Sequence, residues 1–131
     1  MTRDERNAYN RRYRTEHPEF HARTLAKVRI HTQKRKIRVL THYGKGGKLC
    51  CRWSRCRVRD VDMLSIDHVA DNGADHREAV TEGRYRTGGG MSMYRWLEQN
   101  SFPEGYQTLC HNHQWKKEIL RRRAKTMIVK S

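Results

Sequence analysis

Two separated segments carry the residues whose types and spacing could do chemistry. Leu64-Ser65-Ile66-Asp67-His68-Val69 is a short apolar run that ends in a carboxylate and an imidazole. Leu109-Cys110-His111-Asn112-His113-Gln114-Trp115-Lys116-Lys117 offers a sulfur and a nitrogen ligand and then runs into a basic helical pattern. Upstream lie Cys51 and Cys56. Cys51-x4-Cys56 with Cys110-x2-His113 gives three sulfurs and one nitrogen, a set suited to tetrahedral Zn²⁺. Either pair alone is a weak signal; two pairs, one on each side of a predicted strand and helix, are a better one. Cys50 competes with Cys51 for the upstream position. With Cys51 as the ligand, Cys50 points away as a small buried residue. The bland reading is buried free thiols beside surface histidines. A zinc ion held here would tie two halves of a thin core together, so its loss should unfold the core.

Asp67-His68 is a different kind of signal. Consecutive strand residues point to opposite faces, so both serve one site only if the strand ends or bends there. The loop-like stretch from Ala70 to His76 allows that, with Asn72-Gly73 as a turn signal. A carboxylate oxygen suits Mg²⁺, and a neutral imidazole can take a proton from water near neutral pH. Hydrolysis of a phosphodiester needs both a base for the water and a cation for the charge that develops on the leaving group.

Taken together, these residues resemble the HNH (His-Me finger, ββα-metal) endonucleases, over about residues 43 to 120. The matching stretches are Cys51…Cys56, the run from Leu64 to Val69, and the run from Leu109 to Lys117. Asn72-Gly73-Ala74-Asp75-His76-Arg77 and Phe102-Pro103-Glu104-Gly105-Tyr106-Gln107 look like a phage-type branch of that family. The resemblance implies two strands and a helix around one catalytic Mg²⁺ or Mn²⁺. It implies Asp67 as a metal ligand, His68 as general base, and Cys51, Cys56, Cys110 and His113 as ligands of structural Zn²⁺. The family usually has cysteine where this chain has His113. It commonly has histidine or asparagine at the catalytic-metal position that Gln114 occupies; the glutamine carbonyl can ligate, on a longer stem. Gly105 stands about where the middle asparagine of the motif would be. Arg77 is the candidate for steadying the cleaved phosphate.

The elements that must position these residues follow from the rest of the chain. Of 131 residues, 35% are hydrophobic and 33% charged, which predicts one domain with a thin core and an appended element. Residues 1–43 form a basic arm, with twelve Lys and Arg against four Asp and Glu. Helices are expected from Arg3 to Thr15 and from Glu19 to about Thr41, broken at His17-Pro18. Tyr43 to Lys48 reads as a flexible glycine hinge that separates the arm from a core over 44–131. It lacks the Lys-Ser/Thr ending of a P-loop, which excludes a nucleotide site. Strands are expected from Met63 to Ile66 and from Tyr106 to Leu109, a packing helix from Met91 to Asn100, and a closing helix from Asn112 to about Lys125. The expected fold is therefore α+β, a small zinc-braced ββα-metal core with a basic helical N-terminal arm.

The net charge of +15 makes a polyanion the expected partner, and double-stranded DNA the first choice. Lys34, Arg35, Lys36, Lys116, Lys117, Arg121, Arg122 and Arg123 are the expected phosphate contacts. Such contacts give affinity and salt dependence with little sequence choice. No stretch is apolar enough for a membrane span, and no apolar segment follows the polar N-terminus. The expected setting is a reducing cell interior, a phage-infected host if the resemblance holds. The leading expectation is a DNA endonuclease. Its rivals are a zinc-braced nucleic-acid-binding protein without catalysis, which Gln114 favours, and a basic structural protein of a larger ribonucleoprotein or particle.

Overall fold

The computed structural model describes residues 1–70 and 91–130. Among them the elements run α1 (Arg3–Glu16), α2 (Pro18–His42), β1 (Leu64–His68), α3 (Met91–Gln99), β2 (Tyr106–Cys110) and α4 (His111–Lys130), with 3-10 turns at Lys45–Gly47 and Val61–Met63. The architecture is α+β, with a two-stranded antiparallel sheet. No described helix is long and apolar enough to cross a membrane. Arg77, His76 and the Asn72-Gly73 turn lie outside the described residues.

The chain divides into two compact units, Met1–Lys34 and Arg35–Ser131. The boundary of these units falls inside α2, upstream of the glycine stretch at which the sequence reading divides the chain into 1–43 and 44–131. The physical reason is burial. Val39, Leu40 and Tyr43 carry the apolar side chains of the last α2 turns into the core of the second unit. In the first unit α1 starts with a capping box: Thr2 Oγ1 accepts from the Glu5 N–H, and the Glu5 carboxylate accepts from the Thr2 N–H. It ends at His17 because Pro18 follows, and Pro18 then opens α2, where its missing N–H costs nothing. No residue of α1 is buried.

In the second unit, β1 pairs with β2 in the register Leu64↔Cys110, Ile66↔Thr108, His68↔Tyr106 on one face and Ser65↔Leu109, Asp67↔Gln107 on the other. The first face packs on α2 and α3, through Leu40, Tyr43, Tyr94 and Leu97. The second face meets α4. The outer edges of both strands carry further hydrogen bonds. Thr108 sends its N–H to the Tyr43 carbonyl (3.0 Å) and receives the Arg52 N–H on its own carbonyl (2.8 Å). Its hydroxyl, fully buried, donates to the Leu40 carbonyl at 2.7 Å and satisfies one of the open carbonyls at the end of α2. Tyr94 takes a hydrogen bond from the Ile66 backbone on the other edge, and burial is what raises its phenol above the usual range.

Residues 43–48 are not a flexible hinge, and the physical reason is local bonding. The Lys45 ammonium donates to the carbonyls of Trp53 (2.9 Å) and Cys56 (2.8 Å), and the Lys45 N–H donates to the Cys50 carbonyl at 3.2 Å. Gly44 is required there: a Cβ would stand 1.7 Å from the Lys48 carbonyl oxygen. The stretch is a fixed turn clamped onto the cysteine loop.

Candidate metal centre and its neighbours

The cysteine loop is shaped by a tight turn. Cys56 donates its N–H to the Trp53 carbonyl at 3.0 Å, and Arg55 adopts a left-handed φ of 65° to close it. That bend brings Cys56 back beside Cys51, whose N–H is held by the Val58 carbonyl at 2.9 Å. The other two ligands come from the junction where β2 runs directly into α4. Cys110 is the last strand residue and His113 lies in the first helical turn, and that turn brings the His113 ring back beside the Cys110 sulfur. Cys110 Sγ and His113 Nδ1 are 3.1 Å apart, Cys51 Sγ and His113 Nδ1 3.7 Å, and Cys56 Sγ and Cys110 Sγ 4.0 Å. All four ligand atoms lie within 4.8 Å of one another.

These residues fit a metal ion. Tetrahedral zinc with bonds of about 2.3 Å to sulfur and about 2.0 Å to nitrogen has S···S edges of about 3.8 Å and S···N edges of about 3.5 Å. The three closest separations, 3.1, 3.7 and 4.0 Å, lie within several tenths of an ångström of those values, and the widest of the group is within 4.8 Å. A disulfide would need sulfurs about 2.0 Å apart, and all four cysteines are free thiols. Burial pushes the Cys51 thiol up to about 11, although the Cys110 N–H donates to its sulfur at 3.3 Å. Burial acts the same way on Cys56, but there it is outweighed by the Val58 N–H, the neighbouring thiols and the Lys45 ammonium, so that thiol is lowered. A cation at this point would displace protons and supply the charge that burial withholds from the thiolates. Trp53 stacks on the His113 ring at 4.8 Å and 9°, fixing the imidazole plane. Cys50 stands outside the group, its sulfur directed at the Cys51 and Cys56 carbonyls. Of the two neighbouring cysteines, Cys51 is the one placed in the group that could hold a metal.

Asp67 leaves β1 on the α4 side. Its Oδ2 accepts from the Lys117 ammonium at 2.8 Å and from Gln107 Nε2 at 2.9 Å, both part-buried contacts. Lys117 also donates to the His68 carbonyl at 2.6 Å, so one ammonium closes the end of the strand. Gln114, one helical turn before Lys117, donates through Nε2 to Ser65 Oγ and, at 3.2 Å, to the Leu109 carbonyl. His68 is on the opposite face, edge-on to Tyr106 at 5.1 Å. Strand pairing continues past it, since the Val69 N–H donates to the Gly105 carbonyl at 3.0 Å. The strand therefore does not bend between Asp67 and His68, and their side chains diverge. Asp67, Gln114, Ser65 and Lys117 stand together on the α4 side of the strand, while His68 is on the other face.

The expected phosphate contacts fare unevenly. Lys34, Lys116 and Arg123 are exposed, and Lys36 is half-buried. Arg35 is committed to Glu98 at 3.4 Å. Arg121 and Arg122 both hold Glu118, whose carboxyl is drawn down to about 2, first by Arg121 and then by Arg122. Arg122 also lies 5.3 Å over the Trp115 ring. Sequence reasoning counted Lys117 among phosphate contacts and missed its place on Asp67, and it missed Ser65, Gln107, Trp53 and Lys45 altogether. The signal for Ser65 and Lys117 was available: Ser65 and Asp67 alternate onto one strand face, and Gln114 and Lys117 share one helix face. Compared with protein-family models, curated proteins and solved structures, the chain finds no match.

Proposed function

We propose that this protein is a zinc-braced endonuclease that hydrolyses DNA phosphodiester bonds with a divalent cation, of the HNH kind its motifs resemble. The observation that supports this most is the arrangement at the end of β1. Asp67 faces the first turns of α4, the same turns whose start is anchored by Cys51, Cys56, Cys110 and His113. Structural Zn²⁺ in that group braces the strand-to-helix junction, and the junction fixes where Gln114 and Lys117 stand. Asp67 offers oxygen to a hard cation such as Mg²⁺ or Mn²⁺, with the Gln114 carbonyl a second donor on the same side; Lys117 and Gln107 both occupy Oδ2. When bound, such a cation offsets the negative charge that develops on the phosphoryl oxygens. His68, with its ring against Tyr106, takes the proton from the attacking water. β1 does not bend between them but ends at His68, and on this reading the phosphodiester lies across that end, with Asp67 on one face of the strand and His68 on the other. Exposed Lys116 and Arg123 contribute phosphate contacts without sequence choice.

One observation favours a second reading, a nucleic-acid-binding module without catalysis. The Lys117 ammonium stands where a cation on Asp67 would be placed, and the Gln114 amide is engaged with Ser65. Conversion of supercoiled plasmid separates the two. Wild type, Asp67→Ala and His68→Ala are assayed with Mg²⁺, with Mn²⁺ and with EDTA, after the zinc content of each has been measured. Metal-dependent nicking by wild type alone supports hydrolysis at this site. Intact plasmid in every lane, with zinc and DNA binding retained, supports the binding module.

A further inference from the structure

The hydrolytic reading leaves the first compact unit, residues 1–34, without a task beyond carrying charge. This unit holds nine Lys and Arg against four Asp and Glu, and α1 buries no side chain at all. Yet it presents a run of rings. Tyr9 stacks on Tyr13 with centroids 6.1 Å apart, Tyr13 meets His17 at 4.2 Å, and Phe20 meets Tyr13 edge-on at 5.7 Å. The spacing explains the row: Tyr9, Tyr13 and His17 recur every four residues along one side of α1, and the Pro18 corner brings Phe20 back to it. The two ends of the row, Tyr9 and Phe20, are each 51% exposed. Tyr13 separates two shallow hollows. One of about 280 Å³ is lined by Tyr9, Arg12, Tyr13, Glu16 and His17, and another of about 200 Å³ includes Asn10, Tyr13, Arg14 and Phe20.

We infer that this corner is a stacking platform for unpaired nucleic-acid bases. A tightly packed helix corner would hide its rings, and a plain phosphate-binding helix has no use for them. Exposed aromatic faces flanked by guanidinium groups match the two parts of a single strand, planar bases and a charged backbone. Arg12 and Arg14 supply the backbone contacts. Glu16, at the rim of the first hollow, repels phosphate and leaves the exposed Tyr9 ring to bases. A duplex cannot use these faces, because its bases are stacked on one another. The occupant is therefore a single strand, or an unpaired stretch beside a duplex. This inference does not rest on hydrolysis at Asp67, and it holds for an inactive binding module as well.

The test uses the full zinc-loaded chain and fluorescence anisotropy with three labelled probes of about 15 units, an oligothymidylate, an oligouridylate and a DNA duplex. The variant Tyr9→Leu/Phe20→Leu keeps apolar bulk and strong helix formers, so far-UV circular dichroism should match wild type. It should weaken binding to a single strand about tenfold with an unchanged salt slope, and duplex binding by less than about twofold. Whichever single strand responds, or both, identifies the sugar the platform accepts. Arg12→Gln should weaken all probes and lower the salt slope by about one. Equal losses on duplex and single strands, or no loss on either single strand, would overturn the inference.

Discussion

On the zinc-braced reading proposed above, removing the metal should unfold the second compact unit, and the size of the effect can be worked out. The four residues would tie the 51–56 loop to the junction where β2 runs into α4. Structural zinc of this type supplies about 10–16 kcal/mol of apparent binding free energy, and a whole domain is usually stable by only about 5–15 kcal/mol. Without zinc, then, this unit has no margin. Because zinc binds the native arrangement, each tenfold rise in free zinc above the dissociation constant adds about 1.4 kcal/mol. For a cooperative unit of under about 100 residues, that moves the melting temperature by about 5–11 °C. Trp53 lies flat on His113 and provides the optical probe, with a Trp53→Phe control to isolate its signal. Melts would be followed by tryptophan fluorescence in zinc buffers spanning several decades of free ion. The pH trend has a defined sign. Burial holds the Cys51 thiol protonated, up to about 11, so zinc must expel that proton. Affinity therefore rises with pH through neutrality and falls on acidification. A melting temperature independent of free zinc, or a chelated protein with the same cooperative melt, would refute the reasoning.

Two further outcomes follow from single contacts. Gly44→Ala places a methyl 1.7 Å from the Lys48 carbonyl oxygen, so the backbone of the Lys45 turn must move, and with it the clamp on Trp53 and Cys56. Urea unfolding of the zinc-loaded variant should show a loss of about 3 kcal/mol or more, and a loss below about 0.5 kcal/mol would mean the turn is not fixed. Glu98→Gln removes a carboxylate that accepts two hydrogen bonds from Arg38 (2.8 and 2.9 Å) and a longer one from Arg35. The pair is a quarter to half exposed, so the expected cost near neutral pH is only about 0.5–1 kcal/mol. Arg38, and then Arg35, hold the Glu98 carboxyl below its usual range, against desolvation. Its contribution is thus present above the ordinary carboxylate range and lost as pH falls through the depressed value. The difference between wild type and variant should shrink on acidification; a difference that grows would contradict the assignment.

How much was legible in advance can be seen residue by residue. The His17-Pro18 break, both strands and the α3 packing helix with Tyr94 and Leu97 were readable, because proline geometry and side-chain periodicity act over a few residues. The Cys110-x2-His113 half of the metal group was readable from ligand type and short spacing, which put a sulfur and a nitrogen within reach of one ion. The 43–48 turn was misread because glycine spacing permits both a hinge and a fixed turn. Only the distant carbonyls of Trp53 and Cys56, reached by Lys45, decide between them.

The sequence by itself determined the chemistry on offer: three thiols and an imidazole that suit zinc, a carboxylate next to an imidazole, and a basic excess that calls for a polyanion. These depend on residue type, which folding does not change. Tertiary structure decided how they are used. It chose Cys51 over Cys50, carried the last turns of α2 into the core, set Asp67 and His68 on opposite faces of an unbent strand, and put Lys117 on Asp67. Each of those outcomes depends on contacts between residues far apart in the chain, where strand register and helix rotation fix which side chains meet, and no local spacing encodes them.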